Sequence, residues 1–295
     1  MGELRIDALL PAEMATRAEF LGVRKAEMPF LKMFMLAVLA GAFIALGAIF
    51  ATTVSAGSMA ITTPAGEPAF GAGLPYGLTR LFAGVVFSLG LILVVVGGAE
   101  LFTGNNLIVM AWASGKVTTR ALVRNWAIVY FGNFVGALGT VVLMFFSRQY
   151  TFGSNVVGIT ALKTGVAKVE YTFLQAVALG ILCNGLVCLA VWLTYSARST
   201  IDKIAAIVFP ITAFVAAGFE HSIANMYFIP YALFIKIFDA QFVQAVGDKV
   251  PHLDKLTWQT FLLNNLLPVT AGNIIGGAVL VAAVYWTIFL RPDKS

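Results

Sequence analysis

One nine-residue stretch, Gly218-Phe219-Glu220-His221-Ser222-Ile223-Ala224-Asn225-Met226, sets a carboxylate and an imidazole side by side inside an otherwise apolar segment. A charged side chain at bilayer depth costs roughly 2.5–3.5 kcal/mol on insertion scales, so such groups face a cavity, a partner or a transport path. Histidine titrates near neutral pH, and His221 can therefore exchange a proton or donate a hydrogen bond to something that passes it. Glu220 has a different use. A carboxylate just before a helical piece can accept hydrogen bonds from unpaired first-turn N–H groups and meets the positive helix end.

The elements that must position this pair follow from composition. The chain of 295 residues is 60% hydrophobic and 11% charged, with a mean hydropathy of +0.90, far from the roughly 25% charged content of soluble domains. This is the composition of a polytopic membrane protein. The formal charge of +5 comes from basic residues in segments that flank apolar runs, where they orient helices, and no nucleic-acid partner is implied. Cys183 and Cys188 share one apolar run without metal-ligand spacing and read as small packing residues. No cofactor motif is present. Residues 1–29 mix polar and apolar positions and lack the pattern of a cleaved signal. They read as an amphipathic helix starting near Pro11 and lying on the cytoplasmic face.

Six apolar spans are expected, at about 30–54, 78–112, 122–146, 172–195, 205–234 and 261–290. The second would be roughly 50 Å long as one helix, against a ~30 Å hydrocarbon core, so it must tilt or break. Its polar Glu100-Leu101-Phe102-Thr103-Gly104-Asn105-Asn106 is the natural breaking point. Lys and Arg are denser on the side of the N-terminus, for example Arg17, Arg24, Lys25, Lys116, Arg120, Arg124, Arg198 and Lys203, which predicts that both termini are cytoplasmic. Trp112, Trp258 and Trp286 sit near span ends, where they anchor at the interface.

The chain repeats itself. Gly98-Ala99-Glu100-Leu101-Phe102-Thr103-Gly104-Asn105 aligns with Gly218-Phe219-Glu220-His221-Ser222-Ile223-Ala224-Asn225. Asn125 followed by Gly132-Asn133-Phe134-Val135-Gly136 aligns with Asn265 followed by Gly272-Asn273-Ile274-Ile275-Gly276. Each half holds three spans, an odd number, so the second half inserts upside down. The organisation expected is 1–29 as the N-terminal helix, 30–290 as the six-span domain with repeats at about 30–149 and 172–290, and 291–295 as a cytoplasmic tail. The class is all-α, a three-plus-three inverted repeat with two broken helices. Gly98 and Gly218 permit the sharp turns, while Glu100, Glu220 and Asn225 serve the breaks and their caps. The halves differ in one respect: where the first has Leu101-Phe102-Thr103, the second has His221-Ser222-Ile223. Only the second carries a titratable group able to serve a small anion, whose transfer through low dielectric costs several kcal/mol unless dipoles or protonation offset it. A weak acid with a pKa near ~4 could cross as its neutral form.

These signatures resemble those of the formate/nitrite transporter family. Within it Leu9-Leu10-Pro11-Ala12, Phe87-Ser88-Leu89-Gly90-Leu91-Ile92-Leu93 and Val187-Cys188-Leu189-Ala190-Val191-Trp192 are of the formate-channel type. The resemblance implies an aquaporin-like six-helix protomer, a homopentamer in the bacterial inner membrane, and one pore per protomer. It implies His221, Thr103 and Asn184 at the pore centre, constrictions from Phe87, Leu91, Leu101, Phe102, Val187 and Phe214, and anion attraction by Lys168 in an outer loop. The permeants implied are small anions, chiefly formate, with nitrite, hydrosulfide and acetate as others, and a cytoplasmic formate-producing enzyme at the N-terminal helix is a candidate partner. Gly104-Asn105-Asn106 after the Phe-Thr pair is a pattern also found in other branches, and leaves the choice among formate, nitrite and hydrosulfide open. A proton-coupled carrier would use the same residues. A water or glycerol channel would need Asn-Pro-Ala at each half-helix, and neither occurs. An intramembrane zinc enzyme would need His-Glu-x-x-His, whereas the only other histidine, His252, lies in a loop. The protein is not expected to be an enzyme.

Overall fold

The computed structural model describes residues 8–56, 59–62, 68–72 and 74–292. It opens with α1 (Pro11–Ala26), in which proline occupies the first turn and Glu13 Oε2 accepts the Leu10 N–H at 2.9 Å. The buried stripe of α1 is Met14, Ala15, Ala18, Gly22 and Ala26, a helical spacing that lays it flat against the bundle.

Among the described residues, six helices are long and apolar enough to cross a membrane: α2 (Phe30–Ser55), α3 (Tyr76–Gly97), α5 (Thr119–Phe146), α7 (Phe173–Ser196), α8 (Thr200–Ala217) and α11 (Trp258–Phe289). After α3 come an irregular turn, a 3₁₀ segment (Gly104–Ile108) and the short α4 (Val109–Ala113). After α8 the chain breaks at residues 218–221 and resumes as α9 (Ser222–Phe238), then bends by 100° into α10 (Ala240–Val246). Side chains start several helices. Thr118, Thr172 and Ser199 accept the N–H groups of Ala121, Gln175 and Asp202. Between α2 and α3, strands β1 (Met59–Thr62) and β2 (Pro68–Ala72) pair antiparallel, the one strand pair among the described residues. Two stretches of α11, Phe261–Leu266 and Ile275–Ala283, are π-helical.

The stretch between the fifth and seventh helices reads as a loop in the sequence, yet it contains α6 (Val156–Val169), buried through Val157, Gly158, Ala161, Leu162, Gly165, Val166 and Val169. Fourteen residues make about 21 Å of helix, too short to span, and this is why hydropathy passes over it.

The first and third spans of each half pack backbone to backbone. A Cβ on Gly136 of α5 would lie 1.9 Å from the Val38 carbonyl of α2, and one on Gly276 of α11 would lie 2.2 Å from the Ile181 carbonyl of α7. Small residues four apart, Gly132 with Gly136 and Gly272 with Gly276, allow this approach, the usual device where lipid offers no hydrophobic drive. The two contacts clamp the broken second span of each half in the middle of the protomer. Helix α1 and the C-terminal end of α11 meet on one side (the α1 side), and α6 lies on the other.

Candidate permeation site

Each break is built by the same parts. Gly98 and Gly218 adopt φ of 75° and 78°, left-handed values that glycine takes without strain, and they end α3 and α8. The unwound backbone beyond each glycine has lost its intrahelical partners, and one asparagine from the third span replaces them. Asn133 Oδ1 accepts the Phe102 N–H at 2.9 Å, while its Nδ2 donates to the carbonyls of Ala37 (2.7 Å) and Glu100 (2.9 Å). Asn273 repeats this with the Ser222 N–H (2.9 Å) and the carbonyls of Gly180 (2.8 Å) and Glu220 (2.9 Å).

The two carboxylates are not helix caps. Glu100 Oε1 accepts from Lys25 Nζ at 2.7 Å and Oε2 from Asn105 Nδ2 at 2.7 Å. Glu220 Oε1 accepts from Lys168 Nζ at 2.6 Å and Oε2 from Asn225 Nδ2 at 2.7 Å. Asn105 and Asn225 donate further to Asn125 Oδ1 and Asn265 Oδ1, whose own Nδ2 groups reach the carbonyls of Lys25 and Lys168. A buried ammonium is a stronger partner for a buried carboxylate than a backbone N–H, and the asparagines of the third spans have taken backbone donors of the breaks. Lys168 accordingly lies in the last turn of α6 rather than in a loop.

The lysine pair extends the repeat beyond the three spans. Sequence reasoning passed over Lys25, yet the signal is present: Gly22-Val23-x-Lys25-x-Glu27-x-x-Phe30 matches Gly165-Val166-x-Lys168-x-Glu170-x-x-Phe173. Helix α1 is thus the counterpart of α6, and each repeat is an amphipathic helix followed by three spans.

Where the two breaks meet, His221 Nε2 lies 3.0 Å from Thr103 Oγ1. The imidazole is also the N-cap of α9, because Nδ1 accepts the Ala224 N–H at 3.1 Å. This bond settles the tautomer: Nδ1 must be unprotonated, so the neutral ring carries its proton on Nε2 and donates it to Thr103 Oγ1. The Thr103 hydroxyl hydrogen is left to point elsewhere. Asn184 Nδ2 donates to the Thr103 carbonyl (3.3 Å) and to the Asn273 carbonyl (2.7 Å), and the Cys188 thiol donates to the same Thr103 carbonyl at 3.3 Å. Asn184 thus ties the two halves together behind the Thr–His contact.

A vestibule opens on each side of this centre. The α6-side cavity, about 200 Å³, is lined by Phe87, Phe214 and His221, with Arg80, Lys168 and Glu220 around them. Phe87 meets Phe214 edge to face at 5.6 Å, and Phe214 stacks on the His221 ring at 5.8 Å. The α1-side cavity, about 320 Å³, is lined by Leu91, Leu101 and Val191, with Arg17, Lys25, Glu100 and Lys203. Two of the expected constriction residues, Phe102 and Val187, are buried and form no part of the vestibule walls. Phe102 packs edge to face on Tyr130 (4.9 Å) and Trp126 (6.1 Å) of α5 and lines neither cavity. Val187 is buried one turn from Asn184 and also lines neither, while Val191, one turn further on, does.

The sequence profile of the formate/nitrite transporter family matches residues 12–287. The chain belongs to that family. It is 48% identical over 288 residues to the formate channel FocA of Escherichia coli K12, covering 97% of this chain and 96% of that one. It is 43% identical over 277 residues to FocA of Haemophilus influenzae, covering 93% and 92%. Among solved structures it superposes with a TM-score of 0.78 on a pentameric formate channel with formate bound, at 45% identity over 89% of this chain and 98% of the other. An ion channel of the same family superposes with a TM-score of 0.73 at 26% identity, over 95% and 99%. These relatives are channels and transporters, not enzymes, and this chain is a multi-pass membrane protein of their fold.

Proposed function

We propose that the protein is a homopentameric channel conducting small monovalent anions, chiefly formate, across a bacterial inner membrane, with the α1 side cytoplasmic. The observation that carries this reading is the Thr103–His221 contact (3.0 Å) held between two vestibules, each with a half-buried lysine and apolar walls. The similarity to formate channels, one of them solved as a pentamer with formate bound, supports the permeant and the assembly. The loops and helix ends on the α1 side carry Lys116, Arg120, Arg124 and Arg198, which supports the orientation.

Concave walls of low dielectric focus the field of Lys168 or Lys25 and raise the local anion concentration. Beyond them the anion must shed water against Phe87 and Phe214 or against Leu91 and Leu101. At the centre the Nε2–H turns from Thr103 to the permeant, and the freed Thr103 hydroxyl donates a second hydrogen bond. A carboxylate with a pKa near ~4 that is stripped of water favours its neutral form. The neutral ring serves the anion as an Nε2–H hydrogen-bond donor; to lend it a proton, the ring must first take up a second proton from the vestibule water and become imidazolium, which returns to neutral imidazole as the permeant leaves as the neutral acid. Because Nδ1 is engaged by Ala224, Nε2 is the ring atom available to hydrogen-bond the permeant.

The test is flux of formate, nitrite, hydrosulfide and acetate into proteoliposomes at two pH values. Formate flux well above that of acetate supports the reading, and no formate flux at either pH overturns it. A proton-coupled carrier, which the same residues would also serve, differs in following an imposed proton gradient.

A further inference from the structure

The inverted repeat makes the two vestibules near mirror images, and one cation breaks the mirror. On the α6 side, Lys168 pairs with Glu220 and the Arg80 guanidinium is bound to the carbonyls of Val215 and Ala216 at the end of α8. On the α1 side, Lys25 pairs with Glu100 and Arg17 donates to the Tyr195 carbonyl at 2.9 Å, at the end of α7. To these the α1 side adds Lys203, from the first turns of α8. Lys203 is half-buried and lines the cavity, and its ammonium has no hydrogen-bond or ion-pair partner among the described residues. Its neighbour Asp202 is occupied at the helix start by the N–H groups of Arg198 and Ser199 and does not line the cavity. The spacing that relates Gly98 to Gly218 and Glu100 to Glu220 relates Ala83 to Lys203, and Ala83 lines the α6-side vestibule. The α1-side mouth therefore holds three cationic groups against one carboxylate, and the α6-side mouth two against one.

We infer that Lys203 is an anion-holding group of the α1-side vestibule and that it makes this mouth bind a small monocarboxylate more tightly than the opposite mouth. The inference rests on the reading of the protein as a formate channel. An unpaired ammonium in a half-enclosed site keeps its field for an incoming anion, whereas Lys25 and Lys168 spend most of theirs on Glu100 and Glu220. One extra charge about 6 Å from the anion, at the dielectric of water, corresponds to roughly threefold in affinity at low salt, and more where the walls lower the dielectric. A passive pore cannot shift the equilibrium, so the limiting slope of flux against concentration must be the same from both sides. The tighter mouth instead saturates at a lower concentration and at a lower plateau. Lys203 thus limits anion flow leaving the α1 side when anion accumulates there.

The experiment is sided: planar-bilayer currents of the full-length pentamer, its orientation fixed by a side-specific label, with formate on one face at a time and low background salt. Wild type is expected to half-saturate at a lower formate concentration from the α1 side than from the α6 side. Lys203→Gln should raise the α1-side value about threefold and leave the other unchanged, and Lys203→Arg should keep the wild-type sidedness. Ser55→Lys, which adds a cation at a half-buried position lining the α6-side vestibule, should lower the α6-side value and serves if Lys203→Gln fails to assemble. Equal half-saturation from both faces in wild type, or an unchanged α1-side value in a conducting Lys203→Gln channel, overturns this inference alone. Equal shifts on both faces in Lys203→Gln also overturn it, since they report a general structural change. A wild-type protein that passes no formate overturns the proposed function and this inference with it.

Discussion

Replacing His221 with asparagine separates the two tasks of this side chain. The imidazole caps α9 through Nδ1 and donates to Thr103 through Nε2. Asparagine is among the best N-caps, so its Oδ1 can take over the Ala224 N–H, a bond whose loss to alanine costs about 1 kcal/mol. What asparagine cannot keep is the exchangeable ring proton, the bond to Thr103 (about 1 kcal/mol net) and the stacking on Phe214 (about 0.5–1.5 kcal/mol). His221→Asn should therefore lose about 2 kcal/mol, and His221→Ala about 1 kcal/mol more. The pentamer should still assemble in the asparagine variant, as read by size exclusion and thermal unfolding in detergent. Formate flux into proteoliposomes, measured from pH ~5 to ~8, the range in which histidine serves as a switch, should lose its wild-type pH dependence in the variant. An unchanged profile in an assembled His221→Asn channel would refute the proton role, and His221 would be left as a cap.

Lys168→Met strands Glu220, whose side chain is 2% exposed, as an unpaired buried charge, and should destabilise by about 3–5 kcal/mol; pairing it with Glu220→Gln should restore most of the pentamer seen by size exclusion. Lys25→Met should cost less because Lys25 is 28% exposed against 14% for Lys168, and an equal loss in the two variants would contradict this. Phe214→Ala removes the edge-to-face partner of Phe87 and should raise acetate flux relative to formate; an unaltered ratio makes Phe214 a packing residue. Gly276→Ala puts a methyl 2.2 Å from a carbonyl and should abolish assembly, as seen by size exclusion, whereas Gly139→Ala meets nothing within 4 Å and should be neutral. Outside the membrane, hydrogen bonds from Lys255 and His252 (2.7 Å each) hold the Glu170 carboxyl below its ordinary range. That tie is present above the ordinary carboxylate pKa and is lost as pH falls through the lowered value, so the protection of amides 247–256, taken against the intrinsic exchange rate at each pH, should fall on acidification.

The breaks, the six spans and the inverted order were legible in the sequence because each leaves a local mark: a glycine beside a glutamate in an apolar run, and two asparagines at matched spacing. The partners of the carboxylates left no such mark. Glu100 and Lys25 are 75 positions apart, Glu220 and Lys168 are 52 apart, and proximity to a helix start made capping the natural reading. Helix α6 was hidden because hydropathy tests for spans, and a short helix with Lys163 and Lys168 fails that test while still burying one face. The repeat was therefore cut at the span boundaries, and the match around Lys25 fell outside the compared segments.

The duplicated network bears on how the chain enters the membrane. Its two lysines end on opposite faces, and each is matched by a buried carboxylate. A translocation machinery that counts lysine and arginine would find one lysine of this network on either face. The network is therefore indifferent to which way up it is inserted. Orientation must be decided by the cations at helix ends and in connecting segments: Lys116, Arg120, Arg124 and Arg198 lie in short connections on one side, whereas Arg148, Lys163, Lys236, Lys249 and Lys255 on the other are spread over longer ones. Neutralising those residues should yield molecules inserted in both directions with an intact pore, because the duplicated network itself does not distinguish up from down.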